Sequence, residues 1–454
     1  MRRRSATLSR GSDVTPVGQG YPWPSPTRGW WMIAVLCVAA ILSYTDRFIL
    51  SLLVDPIRAD LAISDTKVSL LQGLAFALVY SVAGLPLGRV ADIARRRNVI
   101  LSGVLIWSAS TVACGLAQSF GALFLARMGV GIGEAALAPA AVAMIADAFP
   151  PERRGMPLSV FIAGMAIGGG AAITIGGSLL GAASKGLFGS LPLIGQLPSW
   201  RLTLILLALP GVATGALLLT VSEPVRRDRD IRNALERVRL GAMFEALRKN
   251  AAVLAPIYLA VALVSVGDFS FQNWTPALLA RRFGLSAADI GAQLGLVAIV
   301  SGVSGTLAGG LLGDLVARRG GERARMTLAL AAVSIGLLGA LIGFARSPLE
   351  ALVCFGLWTT TASAAETLGI TVLQSVIPGE IRGVGNALVS FANMMIGLAG
   401  GTTLTAVLTD HVFHDPRSVG KSMGVVLVPA ALAALALFSR VRTKCQKLAV
   451  SESP

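Results

Sequence analysis

The chain has 454 residues, of which 54% are hydrophobic and only 14% are charged, whereas an average soluble domain is about 25% charged. Its net charge of +15, from 39 basic and 24 acidic residues, is explained by basic loops beside a membrane, so no nucleic-acid partner is expected. Apolar runs of about 18 or more residues recur along the chain, and each can cross a bilayer. The composition therefore predicts an all-α, polytopic membrane protein and argues against an enzyme, because almost no soluble volume remains for a catalytic domain.

The first predicted region, residues 1–29, is polar and begins with an arginine cluster. It lacks an apolar core followed by a cleavage site, so it is predicted to be a disordered cytosolic N-terminus and not a signal peptide. Twelve apolar spans of helical length follow it. The spans are predicted at residues 30–54, 66–87, 98–117, 119–149, 155–183, 200–221, 251–279, 286–312, 324–345, 347–377, 384–409 and 422–440.

A polar, arginine-rich linker separates the sixth span from the seventh. Within it Ile231, Leu235 and Val238 recur at helical spacing, which predicts an amphipathic helix on the membrane surface. The linker divides the chain into two halves of six spans each. After the N-terminus we therefore expect a six-helix bundle, the cytosolic linker, a second six-helix bundle and a cytosolic tail, at residues 30–221, 222–250, 251–441 and 442–454.

Lysine and arginine are distributed unevenly between the two sets of loops. One set is strongly basic, whereas the loops at the other ends of the spans carry few basic residues. The basic set comprises residues 2–4, 95–97, 153–154, 222–250, 318–325 and 442–447. Because cytosolic loops of membrane proteins are enriched in these residues, both termini and the linker are predicted to be cytosolic. The chain is expected in the inner (cell) membrane as a monomer.

The two halves resemble each other in sequence. A constant offset of 222 residues takes Asp46 to Asp268 and Ser64 to Ser286, and it relates two copies of a glycine–aspartate–arginine motif. The motif residues are Gly88, Asp92, Arg96 and Arg97 after the second span, and Gly310, Asp314, Arg318 and Arg319 after the eighth. Internal repeats of this kind are typical of transporters, whose substrate site lies at the repeat interface near the membrane midplane.

The repeated motif resembles the signature of the major facilitator superfamily, although Ile93 and Arg95 depart from its usual form. Two further stretches resemble signatures of that superfamily: Arg127-x-x-x-Gly131-x-Gly133 and Trp200-Arg201. The resemblance implies the major facilitator fold, with twelve transmembrane helices in two pseudo-symmetric six-helix bundles. A motif glycine can permit close helix approach, and an aspartate can meet a helix N-terminus or an arginine across the cytosolic face. The motif residues are therefore predicted to form a conformational latch.

Four carboxylates lie in the interior of predicted spans: Asp46 in the first, Glu134 in the fourth, Asp268 in the seventh and Glu366 in the tenth. A charge in the middle of a span costs roughly 3 kcal/mol or more, and it is tolerated where it faces protein or water. In the fold that the chain resembles, helices 1, 4, 7 and 10 line the central cavity. The four acids therefore lie on the helices that are expected to line a water-accessible cavity.

Two short motifs resemble the Spinster branch of the superfamily: Tyr44-Thr45-Asp46-Arg47 in the first span and Gly133-Glu134-Ala135 in the fourth. That branch includes lysophospholipid and sphingosine-1-phosphate transporters. The resemblance implies that Asp46, Arg47 and Glu134 are the coupling and substrate-binding set.

The residues themselves lead to the same set. The two histidines, His411 and His414, lie near a predicted outer loop without further ligands, so no metal or cofactor is predicted. A proton carrier inside the membrane must then be a carboxylate, and Asp46 and Glu134 are the predicted proton-coupling residues. Arg47 stays charged, which suits a partner of these acids or an anchor for an anionic head group.

A wider set of residues is predicted to contact substrate. The repeat partner of Arg47 is Phe269, so the second half offers an apolar aromatic lining that fits an amphipathic anion. Packing in the core is the alternative role for these aromatic side chains. The predicted substrate-binding residues are Arg47, Tyr44, Arg127, Asp268, Phe271, Trp274 and Glu366.

The leading hypothesis is a secondary transporter that works by alternating access, is coupled to protons and moves an amphipathic lipid-like or organic anion. Its partners would be membrane lipids, protons and a small amphipathic substrate. One alternative is a proton-coupled drug or metabolite antiporter. Another is a non-transporting membrane sensor on a transporter fold. The substrate, the direction of flux and the choice between symport and antiport stay open at this point.

Overall fold

The computed structural model describes residues 23–226, 240–377 and 382–451. The first 22 residues of the predicted N-terminal tail lie outside the described residues. So do Ile231, Leu235 and Val238, whose spacing predicts the amphipathic linker helix.

Helices form the described chain in the predicted order, and they are numbered as spans 1 to 12. Spans 1 to 6 are Pro26–Phe48, Asp65–Gln72 with Leu74–Ile93, Arg96–Leu116, Phe120–Ala135 with Leu137–Ala148, Gly155–Ser184, and Ser199–Thr220. A 3₁₀ turn, Ile49–Ser51, extends span 1, and the short helix Val54–Leu61 connects it to span 2.

The second half follows the same plan with longer continuous helices. Span 7 is Leu240–Phe283, so its helix begins within the stretch predicted as linker. The helix Ala287–Gly336 holds span 8 and the start of span 9, which the 3₁₀ helix Leu337–Phe344 completes. Spans 10 to 12 are Pro348–Val376, Arg382–Ala392 with Asn393–Gly400, Gly401–Val407 and Leu408–Phe413, and Val419–Ser451.

Twelve spans cross the membrane. Ten segments of the described chain are long and apolar enough to do so by length and composition. One of these segments, Ala287–Phe344, contains two spans. Its chain reverses at Gly321, where φ of 57° and ψ of −152° break the helix in a region that only glycine adopts easily. Pro348–Val376 is the remaining span, and its threonines, two serines and Glu366 lower its apolar character.

Serine side chains begin equivalent spans in the two halves. Ser64 caps span 2 and Ser286 caps span 8, and each hydroxyl accepts a hydrogen bond from the backbone N–H three residues later. Ser119 and Ser347 cap spans 4 and 10 in the same way. The internal sequence repeat therefore places helix N-termini at equivalent positions in the two halves. The predicted pseudo-symmetric pair of bundles is confirmed.

The bundles meet along two pairs of spans. Within the first bundle, span 1 packs on span 5 and span 3 packs on spans 4 and 6, while in the second bundle span 7 packs on spans 10 and 12. Span 5 packs on span 8 and span 2 on span 11 between the bundles. At Gly177 a Cβ would come within 2.3 Å of the carbonyl oxygen of Ala287 and 2.9 Å of the Cα of Gly291, so the backbones touch there.

The two ends of the bundle, called the basic end and the opposite end, carry different segments of the chain. The basic end carries the start of span 1, the end of span 12 and the turns at residues 94–95, 149–154 and 321. The opposite end carries the helix Val54–Leu61 and the loop at residues 185–198 between spans 5 and 6. These two names are used below for the ends.

Candidate functional site

The centre of the first bundle holds a buried ion pair between spans 1 and 4. The Nη2 atom of Arg47 lies 2.8 Å from Oε2 of Glu134, and the side chains are 4% and 0% exposed. The hydroxyl of Ser43, one turn before Arg47, donates to the same oxygen at 2.9 Å. Removing one member of such a pair leaves an uncompensated buried charge at a cost of about 3–5 kcal/mol. The pair therefore locks the two spans together for as long as both groups are charged.

Aromatic rings surround the guanidinium of Arg47. Its central carbon lies 4.4 Å from the ring centroid of Tyr44, 4.6 Å from that of Phe76 and 5.1 Å from that of Tyr80. The faces of aromatic rings attract cations, and the attraction grows when water is excluded. These rings hold Arg47 independently of Glu134, so the arginine can stay in place when the acid is neutralised.

Asp46, which precedes Arg47 on span 1, is also buried within the first bundle. It is 1% exposed, and Thr111 of span 3, Glu134 and Arg127 lie near its carboxyl group. Arg127 donates instead to the backbone carbonyl of Asp46 at 3.1 Å and to that of Leu71 at 3.4 Å. Arg127 thus clasps spans 1, 2 and 4 together through their backbones. It positions the site without being exposed to the space between the bundles, since it is 2% exposed.

A second pair of acids occupies the equivalent place in the other bundle. The hydroxyl of Ser265 donates to Glu366 at 2.6 Å, and the amide of Gln272 donates to Asp268. Ser265 lies one helical turn before Asp268 on span 7, so it brings the acids of spans 7 and 10 to one level. Both acids are half-buried. Their partners are neutral groups, in contrast to the guanidinium that binds Glu134.

The two clusters are connected through a stack of aromatic rings. The rings of Tyr44 and Phe48 are 6.2 Å apart, and Phe48 stacks on Phe269 of span 7 with centroids 6.3 Å apart and an interplanar angle of 17°. The stack is a contact between the two bundles. Arg47 lies on one side of it, next to Tyr44, and Asp268 lies on the other side, next to Phe269. The predicted central site therefore has two charged walls and an aromatic bridge.

Phe271 and Trp274 lie away from this bridge, in the packed interior of the second bundle. Both are 0% exposed. Phe271 packs at 6.2 Å from the ring of Trp358, and the indole N–H of Trp274 donates to the carbonyl of Thr402 at 2.9 Å. Packing, the alternative considered from the sequence, is the role that their contacts display.

The first copy of the predicted latch is tied to its own half. Arg96 pairs with Asp147 of span 4, and the guanidinium of Arg226 donates to the backbone carbonyl of Asp92. Arg97 donates to the carbonyls of Leu219 and Val221 at 3.3 Å. These contacts join the basic ends of spans 2, 3, 4 and 6.

The second copy has different partners. Asp314 pairs at 2.8 Å with Arg325 of the following span, and Arg318 and Arg319 are exposed. At Gly88 and Gly310 an added Cβ would meet no atom within 4 Å. The motif glycines thus face open space in this conformation, so the close helix approach expected of them is not found here.

Polar contacts close the opposite end across the two halves. Arg281 of span 7 binds Asp65 through two hydrogen bonds of 2.7 and 2.8 Å and binds Asp55 at 2.7 Å. Asp65 is fully buried, and Arg58 pairs with it at 3.0 Å. Bidentate arginine–carboxylate contacts of this kind are the strongest protein hydrogen bonds.

A second cross-half contact lies beside the first. The backbone N–H and the hydroxyl of Thr66 both donate to Asp410 of span 11, each at 2.7 Å. Asp55, Asp65, Thr66, Arg281 and Asp410 together are called the end gate. All five join the first half to the second.

Sequence reasoning did not predict the end gate or the aromatic ring set around Arg47. Arg281 and Arg58 looked like ordinary loop charges, because their partners are distant in sequence. One available signal was the group of acids at residues 55, 60 and 65, which stands at the end with few basic residues. For Phe76 and Tyr80 the signal was their spacing of four residues on span 2, which puts both rings on one face.

A membrane bundle of two repeated halves, with charged groups at its centre and a polar closure at one end, is the architecture of a small-molecule transporter. The profile of the Major Facilitator Superfamily matches residues 36–402, and the chain belongs to that family. The family and its relatives are transporters and not enzymes.

The relatives include an efflux pump and a transporter of the predicted Spinster branch. An MFS-type efflux pump of Mycolicibacterium smegmatis is 28% identical over 408 residues, which is 90% of each chain. The sphingosine-1-phosphate transporter SPNS2 of Danio rerio is 25% identical over 394 residues, which cover 83% of this chain and 75% of that protein.

A solved structure shares the fold. It is the crystal structure of a bacterial homolog to the human lysosomal transporter Spinster, in an inward-facing and unoccupied conformation. The TM-score is 0.78 at 24% identity, with 92% of this chain and 98% of that chain covered. The predicted major facilitator fold and the resemblance to the Spinster branch are confirmed.

Proposed function

We propose that this transporter is proton-coupled and carries an amphipathic lipid-like or organic anion by alternating access. The observation that carries the proposal is the Arg47–Glu134 ion pair, which is buried at the centre of the first bundle. A buried cation held by a titratable acid is a site where proton binding and anion binding depend on each other. The proposed membrane is the inner (cell) membrane, with the basic end in the cytosol and the monomer as the working unit.

The proposed coupling begins with Glu134. While Glu134 is ionised, its Oε2 atom accepts hydrogen bonds from Nη2 of Arg47 and from the hydroxyl of Ser43. Protonation of Glu134 removes the negative charge and frees the guanidinium, which the rings of Tyr44 and Tyr80 still hold in place. An anionic head group can then take the position of the carboxylate, because phosphate and carboxylate match the guanidinium geometry.

Asp46 is the second proposed proton carrier. It precedes Arg47 on span 1, and its buried carboxyl group lies near Thr111, Glu134 and Arg127. A change in charge at Asp46 would therefore act on span 1, which also carries Arg47. Arg127 binds the backbone of span 1 at the same residue.

The wall on the second bundle completes the proposed substrate site. Asp268 and Glu366 provide half-buried acceptors, and Phe269 with Phe48 provides an apolar surface between the two walls. An anion with an apolar body fits a site that is cationic on one side and aromatic in the middle. The sphingosine-1-phosphate transporter among the relatives supports a lipid-like substrate. The sensor alternative gains no support from relatives that are transporters.

Alternating access requires both ends to open in turn. In this conformation the end gate closes the opposite end, and the motif glycines at the basic end face open space. With the proposed orientation this is an inward-facing state. The proposed latch at Asp92, Asp314 and their arginines would form when the basic end closes.

Uptake into proteoliposomes tests the proposal. Labelled lysophospholipids and small organic anions are offered with and without an imposed pH gradient, and Glu134→Gln serves as the matched uncoupled control. We expect gradient-driven accumulation of an amphipathic anion by the wild type and none by the variant. Accumulation that ignores the pH gradient would contradict proton coupling, and extrusion of cationic drugs instead of anions would favour the antiporter alternative.

A further inference from the structure

The loop between spans 5 and 6, at residues 185–198, is apolar where a water-facing loop would be polar. From residue 186 to residue 200 it contains no charged side chain. Leu187 is 70% exposed and Leu193 is 101% exposed. Monomeric soluble surfaces rarely expose large apolar side chains together, and a patch of them marks contact with another phase or partner.

The backbone of this loop binds to itself. Successive turns are closed by hydrogen bonds from Gly189 to Gly186, from Leu191 to Phe188 and from Gly195 to Leu191, all between 3.0 and 3.1 Å. Irregular backbone that enters the edge of a bilayer must satisfy its own polar groups, because lipid offers no partners. A loop that lies in water has no such need.

Leu193 is the clearest single feature. It adopts a left-handed conformation with φ of 68°, which glycine or asparagine adopts more easily than a branched side chain. The conformation directs a fully exposed leucine outward from the tip of the loop. A strained and exposed leucine is explained if its side chain enters an apolar phase outside the protein.

The pseudo-symmetric loop in the second half has the reverse character. It connects spans 11 and 12, and His414, Asp415 and Arg417 are all exposed there. Both loops lie at the opposite end of the bundle and connect equivalent spans. The difference between them is therefore one of chemistry and not of position in the repeat.

We infer that the loop at residues 185–198 inserts into the lipid leaflet at the opposite end of the bundle, with Leu187 and Leu193 at the boundary between head groups and acyl chains. The spans that flank it set its height at this boundary. Lys185 precedes the apolar stretch and is exposed, so its long side chain can reach the head groups. The inserted loop anchors spans 5 and 6 in that leaflet.

A fluorescent probe measures the depth of the loop. Single-cysteine variants Leu193→Cys and Asp415→Cys are made in a chain whose four native cysteines are replaced by alanine. Each is labelled with an environment-sensitive nitrobenzoxadiazole dye in phosphatidylcholine nanodiscs, which leave both faces accessible. We expect blue-shifted emission at position 193, with quenching by nitroxide-labelled lipid about threefold or more above that at position 415. Quenching by aqueous iodide should follow the reverse order.

Two results would overturn the inference. Equal iodide quenching at the two positions would place the loop in water. Protection of position 193 from both quenchers would mean that protein, such as a second copy of the chain, covers it. A second variant tests for a local artefact at position 193. With the dye attached at Leu187→Cys, adding Leu193→Asp should raise iodide quenching at position 187 about twofold. Unchanged quenching there would also contradict insertion.

Discussion

The two bundles share a scaffold but differ in charge at their centres. Both carry capped helix starts and a pair of acids on equivalent helices, yet the first has Arg47 where the second has Phe269. In the first bundle Arg47 binds Glu134, whereas in the second the acids are hydrogen-bonded by neutral Gln272 and Ser265. The repeated halves thus share a frame but differ at one repeat position, so that a cation binds an acid in the first bundle and only neutral groups bind the acids in the second. The comparison predicts that equivalent substitutions in the two halves have unequal effects.

The largest inequality is expected between Arg47→Ala and Phe269→Ala. Arg47 is the cation proposed to bind the anionic head group, and a charge-assisted hydrogen bond contributes about 1.5–3 kcal/mol. Arg47→Ala should therefore weaken substrate binding by roughly 10- to 100-fold, and Phe269→Ala should weaken it much less. Equilibrium binding of a labelled substrate to purified protein measures both.

Arg47→Lys refines this test. An ammonium keeps the charge but cannot make a bidentate contact, so the variant should recover binding only in part. Full recovery of substrate binding would mean that a positive charge alone is sufficient at this position. Near-normal binding by Arg47→Ala would remove the arginine from the substrate site.

The next inequality is expected between Glu134→Gln and Glu366→Gln. Glutamine mimics the protonated acid and cannot release a proton, so Glu134→Gln should lose pH-driven accumulation while it retains binding and exchange. Glu366, bound by a serine hydroxyl, should have a smaller effect on the response to pH. Accumulation and counterflow in proteoliposomes separate the two functions. If Glu134→Gln and Asp46→Asn both accumulate substrate normally, the proton pathway would instead involve Asp268 and Glu366.

The end gate provides a comparison between neighbouring arginines. Arg281 binds Asp65 and Asp55 of the first half, while Arg282 donates to the carbonyl of Gly343 in its own half at 2.8 Å. Arg281→Gln should favour opening at the opposite end by about 1–3 kcal/mol, less than the full cost of breaking a buried pair because Arg58 remains. Arg282→Gln should not.

Labelling of an introduced cysteine at Ala277 measures the opening, since this position lines a cavity of about 610 Å³ at the interface of the halves beside the gate. Faster labelling is expected in Arg281→Gln alone. Equal labelling rates in both variants would show that the ion pairs do not control the gate.

The smallest effect on the conformational equilibrium is expected at the basic end, for Asp92→Asn and Asp314→Asn. Exposed ion pairs contribute about 0–1 kcal/mol each, yet a balanced two-state equilibrium responds to such amounts. Asp92→Asn should favour the inward-facing state. Cysteine accessibility from the cytosolic side should rise in that variant, and accessibility equal to the wild type would refute the latch.

The sequence was most informative where physics leaves few choices. Charges such as Asp46 and Glu134 are expensive in lipid, so their positions predicted that these parts of spans 1 and 4 face protein or water. The offset that relates Ser64 to Ser286 likewise predicted two equivalent halves, and the structure shows both serines capping equivalent helices. Pairing between distant residues was not predictable, because nothing in the local pattern of Arg281 names Asp65 as its partner.

Side-chain direction was the other limit. Phe271 and Trp274 share span 7 with Asp268, and a single sequence does not say which face of a helix that is apolar all round turns inward. The end of span 8 was predicted too early, at residue 312, whereas the chain reverses at Gly321. These features depend on packing between spans.

The most direct test of the account is the pH dependence of substrate affinity in wild type and in Glu134→Gln. If protonation of Glu134 frees Arg47, proton and substrate binding are linked, and wild-type affinity must rise as pH falls, by at most tenfold per pH unit for one proton. Glu134→Gln should bind tightly at every pH, since its side chain never competes for the guanidinium. An unchanged pH dependence in Glu134→Gln, or affinity in the wild type that does not vary with pH, would contradict the coupling of Arg47 to Glu134.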